Sequence, residues 1–226
     1  MENNNDRKKS FYNCLKNLLL DINLPNSKKK VTKGELDFTF NDGVFVRIDF
    51  TTFATYCKKG EFSVYVGLTI SDGEIYKSLL DTGLYDIEYK DRRYFTATHY
   101  NVFPDNKSVS YDFFENTDTK ELVKIIVDDI SRFFFPIIAG FRENYSYILD
   151  NYNLHIPRIF SKVTNPFAIG VLLCLLNKEE DRINEIVSYA KENPDGYYDY
   201  KNSTNPNEEI IIPLKRWVVN NAVKTK

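Results

Sequence analysis

Two histidines, His99 and His155, are the only imidazole groups that this 226-residue chain offers for acid–base or metal chemistry. Neither has a histidine, cysteine or carboxylate neighbour at the spacing that metal ligands show in sequence. The chain also lacks a G-x-S-x-G nucleophile elbow, a glycine loop that cradles phosphate and an H-E-x-x-H motif. The sequence therefore predicts no catalytic residue, no metal and no cofactor.

Asp129 is the acid whose position is most unusual. It falls on a predicted helix that begins near Asp118 or Thr119 and reaches Pro136, inside the apolar arc of that helix. The arc contains Leu122, Ile125, Ile126, Ile130, Phe133 and Ile137. A carboxylate beside an apolar surface needs a partner or a raised pKa. One interpretation makes Asp129 a site residue at a helix–sheet interface. The other, which we favour, pairs it with an arginine or a tyrosine hydroxyl.

A second group of polar side chains would project from one face of a sheet. Asp37, Phe45, Arg47, Asp49 and Tyr65 each alternate with apolar residues, so they would share the face opposite the core. A mixture of aromatic and charged groups is typical of binding surfaces. A solvated face with cross-strand ion pairs, or a face covered by later parts of the chain, explains the pattern equally well.

Tyrosine is abundant, with 16 residues, and Tyr197, Tyr198 and Tyr200 form one cluster. Such a cluster fits a protein-recognition surface or a platform for carbohydrate. An AT-rich genome would also enrich tyrosine without a functional cause. The candidate partner-binding residues are therefore Asp37, Arg47, Asp49, Tyr65, Tyr197, Tyr198 and Tyr200.

Three predicted strands between Glu35 and Ser71 position the first of these groups. The turn Asn41-Asp42-Gly43 favours a hairpin in which Phe38 pairs with Val46 and Asp37 pairs with Arg47, since glycine suits the last position of a three-residue loop. A slip of one residue would expose the apolar set to water. The predicted core residues of this sheet are Phe38, Val46, Ile48, Val64, Val66 and Leu68.

Segments with helical periodicity flank the strands. They cover 7–22, 119–135, 142–151, 165–176, 178–192 and 210–223, while 28–34 is interpreted as a loop into the sheet and 94–100 and 108–114 as further strands. Asn165 and Pro166 together mark a helix start, and Pro213 is expected to break the last helix. The predicted fold class is α+β, an antiparallel meander packed against N-terminal and central helices with a helical C-terminal part. We expect one domain over 1–226, with a sheet-plus-helix core over 7–160 and a helical extension over 161–226.

Composition narrows the classes of partner. With 30 basic and 32 acidic residues the net charge is −2, which lacks the basic excess of a nucleic-acid binder. The longest uncharged apolar run, 167–176, is about half of the ~20 residues that span a bilayer. No signal peptide is visible, and Cys14, Cys57 and Cys174 form no disulfide framework. We expect a cytoplasmic protein with reduced thiols that binds neither nucleic acid nor membrane.

An amphipathic helix is followed by the segments E-L-D-F-T-F, F-V-R-I-D-F and F-S-V-Y-V-G-L. This order, over residues 7–71, resembles small bacterial α+β domains of unknown function that occur beside toxin–immunity loci. The resemblance implies a non-enzymatic protein that binds a protein partner, such as a toxin whose active site it occludes, and it carries no site residues over. The alternative is an enzyme or small-ligand-binding protein whose acids, such as Asp49 and Asp129, meet only in the fold.

Overall fold

The computed structural model of the chain describes residues 4–53, 61–84, 95–98, 110–152, 159–160 and 162–221. Its strands are β1 (Ser27–Thr32), β2 (Glu35–Phe40), β3 (Phe45–Phe53), β4 (Phe62–Ser71), β5 (Phe95–Thr98), β6 (Tyr111–Phe113) and β7 (Lys162–Val163). Its α-helices are α1 (Asn4–Leu19), α2 (Gly73–Asp81), α3 (Thr119–Asp129), α4 (Phe135–Glu143), α5 (Tyr145–Asn151), α6 (Pro166–Leu176), α7 (Arg182–Glu192), α8 (Tyr198–Lys201) and α9 (Ile212–Asn221). Two π-helical turns, Ile130–Phe134 and Asn207–Ile211, and a 3₁₀ turn, Pro194–Gly196, also occur.

The chain forms two compact units. The first comprises Met1–Thr69 and Ala97–Ile138, and the second comprises Ile70–Thr96 and Ala139–Lys226. Antiparallel strands and helices occur together, and the C-terminal part is mainly helical, so the predicted α+β fold class is confirmed. The expected division at residue 160 does not coincide with these units, and a single domain over 1–226 stays a prediction.

In the first unit, β2 and β3 form the predicted hairpin. Leu36 pairs with Ile48, Asp37 with Arg47 and Phe38 with Val46, which is the register that burial and turn chemistry required. Gly43 closes the loop at φ 84°, a left-handed conformation that glycine adopts without a Cβ clash. Strand order in this unit is β1-β2-β3-β4, and β6 pairs with β4.

Residues 28–34 are not the loop that the sequence suggested, because most of them belong to strand β1. This strand pairs with β2 from Ser27 opposite Phe40 to Thr32 opposite Glu35. The strand could not be predicted from its sequence, because its lysines leave no alternation of apolar and polar residues. Lys29 Nζ donates to the carbonyl oxygens of Leu20, at 2.6 Å, and Ile22, at 2.7 Å. One lysine of the run therefore caps the C-terminal end of α1, where unpaired carbonyls favour a cation.

The core of the first unit lies between the sheet and α1. All six residues predicted for it are at most 1% exposed, which confirms their burial: Phe38, Val46, Ile48, Val64, Val66 and Leu68. The rings of Phe62 and Phe113 stack with centroids 4.6 Å apart, and Phe11 of α1 packs edge-on against both. Helix α3 packs against α1 and against β6.

We expect Leu68→Ala to lower the free energy of unfolding by about 2–4 kcal/mol, since it removes buried methyl groups and leaves a cavity. Leu20→Ala is a matched control because Leu20 is 51% exposed. Urea unfolding followed by circular dichroism measures both. A Leu68→Ala midpoint equal to that of the control would show that Leu68 does not contribute to the core.

A π-helical turn follows α3 and changes which side chains face inward. Phe134, which lies in this turn and was outside the predicted apolar arc, is fully buried. Ile125, which was inside the arc, is 44% exposed, but it precedes the turn, where the buried face of α3 is formed by Val123 and Ile126. A π turn adds a residue to the helical turn, so a constant 100° step no longer predicts the buried face. The same turn ends one residue before α4, in which Pro136 is the second residue, so it accommodates the N–H that proline lacks within a continuous helix.

The last helix repeats this arrangement. The π turn Asn207–Ile211 runs directly into α9, and Pro213 is the second residue of that helix. The expected break at Pro213 is therefore wrong, because the helix continues through the proline. In both places the preceding π turn accommodates a residue that would obstruct a regular α-helix.

The second unit is organised around α6. Every residue of this helix is buried, as its almost entirely apolar sequence predicted. Helices α5, α7, α8 and α9 each pack against it. In the same unit β5 pairs with β7, Phe95 lying opposite Val163, and the Phe95 ring packs against Phe141 and Phe160.

Candidate functional site

Arg47 is the centre of the polar face of the first unit's sheet. Its Nε donates to Asp37 Oδ1 at 2.8 Å and its Nη2 donates to Asp37 Oδ2 at 3.0 Å, a bidentate pair. Its Nη1 lies 3.2 Å from Glu35 Oε1. The pairing follows from the register, which sets Asp37 directly across from Arg47. Asp37 is only 6% exposed, so the arginine neutralises a nearly buried carboxylate.

Asp49 and Tyr65 lie on the same face, and both are half-buried. The carboxylate of Asp49 rests over Gly67, where an added Cβ would come within 2.8 Å of Asp49 Oδ2. Glycine at this position therefore leaves room for the acid. The structure brings Asp37, Arg47, Asp49 and Tyr65 onto one face as predicted, and their role in binding stays a prediction.

Asp129 accepts a hydrogen bond from the hydroxyl of Tyr111 at 2.7 Å. Tyr111 lies on β6, and Asp129 is the last residue of α3, so this bond joins a strand to the helix that packs on it. Burial and the bond to Asp129 together raise the pKa of the Tyr111 hydroxyl far above its ordinary range. The structural interpretation of Asp129, a pair with a tyrosine hydroxyl, is the one that this geometry supports.

The tyrosine segment of the second unit caps helix α6. Asp199 accepts hydrogen bonds from the backbone N–H groups of Phe167, at 3.1 Å, and Ala168, at 2.9 Å. Asn165 occupies the N-cap position, as the sequence predicted, but its φ is 49° and its side chain makes no cap bond. Sequence analysis missed Asp199 because the helix start that it caps lies more than thirty residues away.

The three tyrosines around Asp199 differ in exposure. Tyr197 is 4% exposed, so little of its side chain reaches the surface, and its role in partner binding stays a prediction. The hydroxyl of Tyr198 accepts from the Asn165 N–H at 2.8 Å, although its side chain is 43% exposed. Tyr200 packs against the ring of Phe167 with centroids 4.8 Å apart. Much of this cluster therefore stabilises the fold around α6.

A cavity of about 610 Å³ opens beside this segment. Aromatic rings and prolines make up much of its lining, and two acids and an asparagine lie among the more exposed lining residues. The lining consists of Tyr152, Phe160, Val163, Pro166, Tyr189, Glu192, Asn193, Pro194, Asp195, Gly196, Tyr197 and Tyr198. Sequence analysis grouped some of these tyrosines but gave no indication of a cavity.

A basic groove of about 730 Å³ runs along α1 in the first unit. Its lysines are Lys8, Lys9, Lys16 and Lys33, and no aspartate or glutamate is among its described lining residues. The helix residues that line it are Asn5, Lys8, Lys9, Tyr12, Asn13 and Lys16. They recur at three- and four-residue steps, the spacing of one helix face, so this polar stripe could have been found in the sequence.

Among the described residues, no three histidine, cysteine or acidic side chains cluster as metal ligands do. No helix within those residues is long and apolar enough to cross a bilayer. Cys14 and Cys174 are free thiols, and burial raises the pKa of Cys174 to about 11, while Cys57, His99 and His155 lie outside the described residues. Compared with protein-family models, curated proteins and solved structures, the chain has no match.

Proposed function

We propose that this chain is a non-enzymatic protein-binding domain whose contact surface is the polar sheet face around Arg47. An immunity-type protein that covers the active site of a toxin is the specific form of this proposal. The observation that carries it is the bidentate pair between Arg47 and Asp37, which holds the guanidinium in one orientation on adjacent strands. Groups held this way lose little entropy when a partner binds.

Charge on this face indicates the kind of partner. This face carries the carboxylates of Glu35, Asp37, Asp49 and Asp112. Its basic groups are Arg47 and the exposed Lys28 and Lys30, so acids exceed bases by one. A partner that presents lysine or arginine beside an aromatic ring would complement this surface. The guanidinium carbon of Arg47 lies 5.7 Å from the centroid of the Phe45 ring. This cation–aromatic pair adds a flat group that a partner can contact.

The experiment compares two sets of substitutions in partner binding. Replacing Arg47 by alanine would leave the nearly buried Asp37 without its cation and would destabilise the fold. The test variant is therefore Arg47→Lys, Asp49→Asn and Tyr65→Ala, which keeps a cation beside Asp37. The matched control, Lys9→Ala, Lys16→Ala and Lys33→Ala, alters the basic groove of the same unit. Partner captured from a native lysate is identified and then titrated against parent and variants by calorimetry.

We expect the sheet-face variant to bind its partner at least about 2 kcal/mol more weakly, because interface hot spots are enriched in arginine and tyrosine. The groove variant should bind within about threefold of the parent. The reverse result would move the contact to the basic groove. Turnover of a small substrate that Asp129→Asn abolishes would overturn the binding-protein proposal altogether.

A further inference from the structure

The lysines of the basic groove come from two parts of the first unit. Lys8, Lys9 and Lys16 belong to α1, and Lys33 lies in the turn between β1 and β2. Lys9, Lys16 and Lys33 are solvent-exposed, and within the described residues no ion pair engages any of these lysines. Asp6, in the first turn of α1, is not among the groove's described lining residues. The groove therefore concentrates positive charge that the described part of the chain leaves without a counter-ion.

Close packing of the β1–β2 turn on α1 brings Lys33 to the groove. Gly34 has a φ of 85°, and a Cβ added to it would come within 3.2 Å of Tyr12 Cε1. The backbone N–H of Phe50 donates to the carbonyl oxygen of Gly34 at 2.8 Å, which joins the turn to β3. Lys33 Nζ lies 5.3 Å from the centroid of the Tyr12 ring. These contacts hold Lys33 beside α1 in the free protein, so less entropy is lost when a ligand binds.

The groove offers nucleobases no open surface for stacking. Tyr12 is the only aromatic residue among its described lining residues. Lys33 Nζ lies over the ring of Tyr12, and the Tyr12 hydroxyl donates to the carbonyl oxygen of Phe50 at 3.3 Å. Proteins that bind single strands present accessible aromatic faces beside their basic groups. The other lining groups include the side chains of Asn13 and Thr52, so charge and hydrogen bonds would recognise the ligand.

We propose that this groove binds an oligophosphate, a chain of two or more linked phosphate groups. Lys9 and Lys16 are seven residues apart on α1, which is about 10 Å along the helix axis. Carboxylates on one side of an extended peptide are about 6.6 Å apart, so only about two of them face that length. A phosphate monoester carries about −1.5 to −2 charges at pH 7, so linked phosphates bring more charge to the same lysines. This proposal concerns a different surface and is independent of the sheet-face proposal.

Two sources could supply linked phosphates, an inorganic oligophosphate or a nucleoside triphosphate. The test titrates the whole chain with sodium tripolyphosphate, with ATP and with orthophosphate, and calorimetry measures each affinity. A hexaglutamate peptide and an eight-residue oligothymidylate represent acidic peptides and single-stranded nucleic acid. Tighter binding of ATP than of tripolyphosphate assigns a nucleotide, and equal or weaker binding of ATP assigns the phosphate chain alone.

We expect tripolyphosphate to bind saturably and at least about tenfold more tightly than orthophosphate, because a chain of phosphates meets more of the lysines. The groove variant, Lys9→Ala, Lys16→Ala and Lys33→Ala, should bind tripolyphosphate at least about tenfold more weakly than the parent.

The matched control removes the same number of positive charges at exposed lysines outside the groove lining. It is Lys28→Ala, Lys77→Ala and Lys191→Ala. This variant should bind tripolyphosphate within about threefold of the parent, since exposed charges away from the groove are screened by salt. A similar loss in both variants would overturn the proposal, because net charge and not the groove would then determine binding.

The absence of saturable binding by tripolyphosphate and ATP would overturn the proposal, as would an orthophosphate affinity equal to that of tripolyphosphate. Tighter binding of hexaglutamate or oligothymidylate than of tripolyphosphate would also overturn it, in favour of an acidic peptide or a single strand. If the groove variant does not fold, Lys16→Glu provides the second test, because it changes one exposed residue. That variant should bind tripolyphosphate about tenfold more weakly, and unchanged binding would contradict a role for the groove.

Discussion

Phe113→Ala is expected to lower the free energy of unfolding by about 3–5 kcal/mol, the range found for a fully buried phenylalanine. Phe113 is wholly buried, stacks on Phe62 with planes only 6° apart, and receives the edge of Phe11. The short strand β6 pairs with β4 over three residues, so this ring supplies much of what holds the strand in place. Urea unfolding of the parent and the variant measures the loss.

The adjacent residue provides the control. Phe114 is 47% exposed and follows directly after β6, so Phe114→Ala should change the free energy of unfolding by no more than about 0.5 kcal/mol. The two variants remove the same atoms from neighbouring positions. Similar losses in both would show that β6 does not bury Phe113 as described.

Asp199→Ala should destabilise the chain by about 1–3 kcal/mol, because it leaves two buried N–H donors at the start of α6 without their acceptor. Those donors belong to Phe167 and Ala168, which are at most 1% exposed. Asp195→Ala is the control from the same segment, since the Asp195 carboxylate is fully exposed and should contribute little. Thermal unfolding of the three proteins tests the difference.

The pH dependence of Asp199 has a definite sign. Burial raises the pKa of its carboxyl group above 3.8, although the bonds from Ala168 and Phe167 oppose the shift. The folded state therefore holds the proton more strongly, and this group loses stabilising free energy as pH rises from about 4 through its raised pKa. Asp199→Asn removes this pH-dependent loss of stability, because the asparagine side chain does not titrate. The stability of the parent relative to the asparagine variant should fall as the pH rises from about 4 through that raised pKa, and a rise would contradict the desolvation argument.

Local pattern was sufficient wherever partners lie close in sequence. The β2–β3 hairpin followed from alternation and from Gly43, because a one-residue slip would have exposed Phe38 and Val46. The N-terminal cap of α3 was equally local: Asp118 accepts from the N–H groups of Lys120 and Glu121, two and three residues away. Each of these features depends on a few residues that lie close together in the sequence.

Features that depend on distant partners could not be predicted in this way. Strand β1 consists largely of lysines and is defined by its pairing with β2, so its own sequence does not mark it. The π turn after Asp129 rotates the residues that follow it relative to α3. A fixed step of 100° per residue therefore does not predict which of those residues face inward. The capping role of Asp199 could not be predicted, because the N–H groups of Phe167 and Ala168 that it accepts from lie more than thirty residues back in the sequence.

Strand β1 stands at one end of the described strand order, and three of its six residues are lysines. An edge strand offers unpaired backbone groups to any other extended chain, and like charges on it keep a second copy away. The exposed Lys28 and Lys30 provide this repulsion, while Lys29 is engaged at the end of α1. Acetylation of Lys28 and Lys30 would remove the charge and leave the strand intact. Edge-to-edge association of two copies through β1 would then meet less repulsion, with the fold unchanged.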